Sequence, residues 1–127
     1  MKLAVSASGT GAEAALDLHF GRCAHFVIYD AETGSYTDIL NPARGTGSGA
    51  GIRAAQAVVG EGVRVVITGS VGPNASRVLR AAGVKCYAGT KGKVKDAVEA
   101  YKNGLLTFVE APVQGRTQGR GRGFGRQ

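Results

Sequence analysis

The segment that most restricts how this chain folds is a continuous apolar run, Val63–Thr68 (VRVVIT), placed between two helical stretches. Apolar residues at consecutive positions fit a central parallel strand whose two faces are both covered. Before the run comes an Ala/Val helix, about 52–60; after it comes a second helix, about 73–82. Pro73 in the first turn of the second helix and Gly83 just past its end follow the usual asymmetry of helix termini. Upstream, the strands His25–Tyr29 and Ser35–Leu40 flank the turn Asp30-Ala31-Glu32-Thr33-Gly34, so those two run antiparallel. Lys2–Ala7 reads as an opening strand, Val84–Tyr87 as a short later one, and 93–103 as a third helix closed by Gly104. The order β-β-β-α-β-α-β-α predicts an α/β fold with a mixed five-stranded sheet flanked by helices.

With 127 residues, the chain can bury one ordinary core. The predicted domain is 1–110. From Ala111 apolar periodicity ends, and 111–127 reads as a flexible Gly/Arg-rich tail. The net charge of +7 divides at the same place. Arg116, Arg120, Arg122 and Arg126 lie in the tail with no acid, leaving 12 basic residues against 9 acidic ones in the body. That residual charge gives only mild attraction for anions. Four Tyr, four Phe and no Trp leave few rings for a protein interface or for stacking on bases. No secretory signal and no membrane-length apolar stretch is visible, which predicts a cytoplasmic protein. Cys23 and Cys86 are then expected to be free thiols, Cys86 in the core.

Several segments together resemble the dinitrogenase iron–molybdenum cofactor biosynthesis family. They are MKLAVSASG at the start, HFGRCAHFVIYDAETG from His19, the NP at 41–42, AGIRAAQ at 50–56, VVITGSVGPNASRVLRAAGVKCY, and AYKNGLL. The FGR at 20–22 and TGSVGPNA at 68–75 are the most specific pieces, and order and spacing agree over about residues 1–106. The resemblance implies a ribonuclease H-like fold. It also implies binding, protecting or delivering a metal–sulfur cluster, with molybdenum and either iron or copper, and a donor or acceptor protein for it.

The residues supply chemistry for such a cargo. His19, Cys23 and His25 lie within seven positions, and imidazole and thiolate are ligands for soft or borderline metals. They match no standard zinc spacing, so the expectation is contact with one edge of a preformed cluster. On an extended strand Cys23 and His25 would share a side. Arg22 offers a permanently charged fork of donors to an anion. Gly47, Gly49 and Gly51 precede one helix, and Gly69, Ser70, Gly72 and Asn74 precede another; backbone N–H groups at helix starts favour anions. Ser6 and Ser8 end the first strand and should face the same crevice, with 8–24 as a mobile flap. The GTGSGAG stretch lacks the spacing and the later acid of a dinucleotide fingerprint and the Lys-Ser/Thr of a P-loop. Arg77 and Arg80 read as a solvated helix face. No carboxylate cluster suits two-metal hydrolysis, so a non-enzymatic role is expected. The alternative is RNA binding through the Arg/Gly tail, with its single Phe124.

Overall fold

The computed structural model describes residues 1–45, 47, 49–89 and 92–109. The expected tail, 111–127, lies outside the described residues, and with it the segment on which the RNA-binding alternative rests. The elements are β1 (Lys2–Ala7), β2 (His25–Asp30), β3 (Ser35–Leu40), α1 (Ala50–Gly60), β4 (Val65–Thr68), α2 (Pro73–Ala81), β5 (Lys85–Ala88), α3 (Val94–Lys102) and β6 (Thr107–Val109). They form one sheet in the order β3-β2-β1-β4-β5-β6. The first three strands are an antiparallel meander; β4 and β5 run parallel to β1, as the apolar run required. The five-strand expectation is corrected by β6, three residues paired antiparallel to β5. So short a strand carries no readable alternation, and only its pairing with β5 defines it.

Strand alternation sorts the core onto two faces. Ala4, Phe26, Ile28 and Val66 pack beneath α1 and α2 with Ala54, Ala55, Val58, Ala75 and Leu79. Leu3, Val5, Val27, Tyr29, Val65 and Ile67 pack on the other face with Val94, Ala97 and Val98 of α3. Burying a Leu, Ile or Phe side chain stabilises by about 1.5–3 kcal/mol, so these two layers hold the sheet in place. The carboxyl ends of β1 and β4, the start of β2 and the starts of α1 and α2 all lie at one end of it. No helix among the described residues is long and apolar enough to cross a membrane.

The 8–24 segment is not the expected free flap. Its backbone is hydrogen-bonded along its length: Ser8 N–H donates to Ala15 O (3.0 Å), Asp17 N–H to Ser6 O (2.9 Å) and Leu16 N–H to Gly92 O (2.8 Å). Val94 N–H returns to Ala14 O at 2.8 Å. The Glu13 carboxylate meets Lys93 Nζ at 2.8 Å and Lys95 Nζ at 2.7 Å. These two ammonium groups hold the Glu13 carboxyl down at about 2 from its ordinary 4.5. The ion pairs therefore persist above pH 4.5 and are lost as pH falls toward 2. Glu13→Gln should remove that acid dependence of the 12–16 segment, read as faster Leu16 amide exchange at neutral pH.

Candidate functional site

Three loops meet at the carboxyl end of the sheet, and glycines let their backbones touch. A Cβ on Gly69 would stand 2.5 Å from Leu18 Cβ and 2.6 Å from Leu18 O, so the chain at 18 lies directly across the β4–α2 loop. Ser70 N–H donates to Leu18 O at 3.1 Å, and His19 pairs with Ser70 as an isolated parallel bridge. A Cβ on Gly21 would lie 3.2 Å from Gly51 N, which sets the Phe20-Gly21-Arg22 turn against the first turn of α1. Gly51 in turn faces Ala75 Cβ closely, bringing the starts of α1 and α2 together.

Positive charge outweighs negative around this junction, where Asp17 stands beside His19. Neither α1 nor α2 has an acidic residue in its first turn, where N–H groups lack intrahelical partners. Arg22, Arg44, Arg53 and Arg77 are exposed on the three loops and the adjoining helical turns. Among the described residues none of the four pairs with a carboxylate. Arg77 Nη1 donates instead to Asn74 Oδ1 at 2.7 Å, holding that side chain over the α2 start. Ser70, Gly72, Asn74, Gly47 and Gly49 are exposed and Gly51 half-buried, all at this end as expected.

Ser6 is corrected: it is fully buried, not crevice-lining. Its hydroxyl donates to Asp17 O (2.5 Å) and shares a hydrogen bond with Thr68 Oγ1 (2.7 Å), tying β1, β4 and the 17–23 turn together. Ser8 is exposed, but its hydroxyl donates at 3.4 Å to Ala15 O and braces the loop.

The three proposed metal ligands do not converge. Cys23 is buried beside Phe20 and Phe26, its Sγ donating to Phe20 O at 3.4 Å. Burial pushes its thiol up to about 12, so it carries no thiolate at neutral pH. The expected shared side with His25 fails because residues 19–23 form a turn and the strand begins only at His25. His25 instead alternates onto the face of Val27 and Tyr29, away from Cys23; its Nδ1 is buried without a hydrogen-bond partner. No group of three or more His, Cys, Asp or Glu suited to a metal ion exists among the described residues. His19 is the exception in accessibility, its side chain 73% exposed. Asp17 Oδ1 accepts from its backbone N–H at 2.8 Å and lies 3.1 Å from Nδ1. In the tautomer that carries its hydrogen on Nδ1, toward the carboxylate, Nε2 holds the lone pair, the usual arrangement behind a ligating imidazole.

Sequence reasoning passed over Asn41 and Asp17. Asn41 is 1% exposed; its Nδ2 donates to Cys23 O (2.9 Å) and Gly21 O (3.3 Å), and its Oδ1 accepts from Ala43 N–H (3.0 Å). One side chain thus fixes both the 20–23 turn and the entry to the glycine-rich loop. Asn-Pro signals a strand end in sequence, and nothing local tells that the amide reaches back twenty residues.

The profile of the dinitrogenase iron–molybdenum cofactor family matches residues 1–104. The chain belongs to this family. Among solved structures, the apo form of the orange protein from Desulfovibrio gigas is similar at 38% identity and a TM-score of 0.83, over 89% of this chain and 96% of that one. A NifB-like protein from Thermotoga shares 30% identity with a TM-score of 0.76, over 91% and 98%. An uncharacterized protein of Methanocaldococcus jannaschii is 30% identical over 98 residues, 75% of this chain and 83% of its own. Membership places this chain among proteins concerned with the metal–sulfur cofactor that names the family.

The cysteines give a direct check on the site. Cys86 is half-buried and its thiol is raised to about 11, while Cys23 is enclosed. In native protein Cys86 should react with a maleimide at least tenfold faster than Cys23, measured by peptide mass mapping. Equal rates would show that the 20–23 turn opens. Both thiols titrate higher when folded than their ordinary 9.0, so they favour folding below pH 9. That contribution is lost as pH rises through about 11 and 12.

Proposed function

We propose that this protein binds an anionic metal–sulfur cluster without covalent attachment and passes it to an acceptor protein. The observation that carries the reading is the backbone junction at Gly21–Gly51 and Leu18–Gly69. It gathers two acid-free helix starts, Arg22 and Nε2 of His19 around one point. Helix starts and arginines favour negative charge, and donors to a charged group contribute about 1.5–3 kcal/mol each. Electrostatic and hydrogen-bond holding fits these residues. A protein-ligated metal does not fit, since one thiol is in the core and one imidazole is turned away. Of the three residues expected as ligands, His19 is the exposed one and supplies a direct or hydrogen-bonded contact. The similar orange protein is known in an apo form, which supports a ligand that comes and goes.

The finer reading is molybdenum combined with iron or copper in the cluster, handled in the cytoplasm with no bond made or broken by the protein. The strand order, with an antiparallel meander beside two parallel strands, supports a ribonuclease H-like arrangement for the first five strands.

The test is anaerobic titration of the full chain with tetrathiomolybdate, with and without copper, and with an iron–sulfur cofactor precursor. Visible absorption and metal content after gel filtration are the readouts. A stoichiometric coloured complex is expected, weakened about tenfold or more in Arg22→Ala, the fold-change that corresponds to losing one charged donor. His19→Ala should shift the absorption bands as well as weaken binding. No retained metal in any arm, or identical binding by wild type and Arg22→Ala, refutes the proposal.

A further inference from the structure

A second concavity, about 340 Å³, lies on the flank of α2 turned away from α1, between that helix and the β5–β6 edge of the sheet. Its walls include Val71, Val84 and Val109, and Cys86 lies along it. Arg80 and Lys85 stand on the same walls, both exposed, and among the described residues neither pairs with a carboxylate. The cluster site uses none of these six residues. An apolar trough with two cations at its side selects for a molecule that is itself divided, apolar in body and anionic at one end. The volume falls at the low end of the ~300–1,000 Å³ typical of ligand pockets, which suits a small molecule better than a peptide segment or a second chain. A sulfide cluster is a poor match, because much of the wall is valine side chain and the thiol present is protonated at neutral pH.

We propose that this groove binds a small carboxylic acid with an aromatic or branched aliphatic body, its carboxylate held by Arg80 and Lys85 and its body against Val84 and Val109. The assignment is independent of the cluster reading, since it concerns another surface. Guanidinium and ammonium give charge-assisted hydrogen bonds to a carboxylate. Desolvation of an apolar body on valines supplies the rest. Cys86 serves as a built-in reporter, because a bound body covers the wall on which it sits.

The probe is 2-naphthoate, titrated into the full-length protein and followed by its own fluorescence, with N-ethylmaleimide modification of Cys86 measured in parallel. Saturable one-to-one binding is expected, with maleimide modification of Cys86 slowed at least fivefold at saturation. The charge-reversed variant Arg80→Glu/Lys85→Glu should raise the Kd at least tenfold with an unchanged circular dichroism spectrum. Val109→Trp, which fills the trough at the sheet edge, should abolish binding and leave the cluster titration as in wild type. Three results would overturn the proposal: no saturation, a Kd unmoved by charge reversal, or no protection of Cys86. A fourth is a dimer on gel filtration with Cys86 already shielded, which would give the groove to a second copy.

Discussion

Gly69→Ala should lower the unfolding free energy by about 3 kcal/mol, the upper end of what overpacking ordinarily costs. The added methyl would need to occupy space 2.5 Å from Leu18 Cβ, 2.6 Å from Leu18 O and 2.8 Å from Leu18 Cα. Two of those atoms are backbone, so no rotamer change relieves the contact; either the 17–23 turn or the β4–α2 loop must move. The Ser70 N–H to Leu18 O hydrogen bond is the first casualty, and the buried Ser6 hydroxyl bonded to Asp17 O is strained next. Urea unfolding gives the stability change, and hydrogen exchange at Ser70 gives its location. Cluster binding should weaken in parallel, because His19 and Arg22 ride on the displaced turn. Gly72→Ala is the matched control. Its φ of −70° and ψ of 166° suit any residue, and nothing lies within 4 Å of the added carbon. It should stay within about 0.5 kcal/mol of wild type. If the two variants behave alike, the close approach of Leu18 is not what holds the junction together.

The second large effect is expected at Asn41. Truncation to alanine removes the donor to the buried Cys23 carbonyl and the half-buried Gly21 carbonyl and the acceptor for Ala43 N–H, at a cost of roughly 1–3 kcal/mol for each group left fully unsatisfied. A net loss of about 3–4 kcal/mol follows once partial relaxation is allowed. Asn41→Asp sharpens the test. The aspartate keeps the acceptor for Ala43 N–H but turns a charged oxygen toward the Gly21 and Cys23 carbonyls. Its carboxyl would therefore titrate above the ordinary ~3.9. The sign follows: protonation restores a donor, so this variant should gain stability as pH is lowered from 7 toward 5. A variant whose deficit is the same at pH 5 and pH 7 would refute the donor role assigned to the Asn41 amide.

The elements made from local signals were legible in the sequence, and the site was legible only in part. Ser35–Leu40 emerged from its alternation and its turn, and α2 from its proline start and terminal glycine, because those signals sit within a few residues of what they determine. Strand β6 was not readable, since its three residues acquire their conformation from pairing with β5. The glycine-rich helix starts and the turn carrying Arg22 come together at the carboxyl end of the sheet. Cys23 does not join them: a thiol four residues after an exposed histidine carries no mark of which way the turn will roll it. That direction is set by Asn41, distant in chain terms, and by the core into which the neighbouring Phe20 and Phe26 pack. Ser6 misled for a related reason: a strand-end hydroxyl looks solvent-facing until Thr68 and the Asp17 carbonyl are placed beside it.

The hydrogen-bonded 8–24 segment has a kinetic consequence. A receptor whose mouth is already fixed has no closing step, so capture of an anion should be a single bimolecular event. Its rate would then be governed by long-range attraction toward Arg22, Arg44, Arg53 and Arg77, and should fall steeply with added salt. Residence time would depend on how readily the outward donors let go, and a partner would hasten release by competing for the cargo directly and not by prising open a cover.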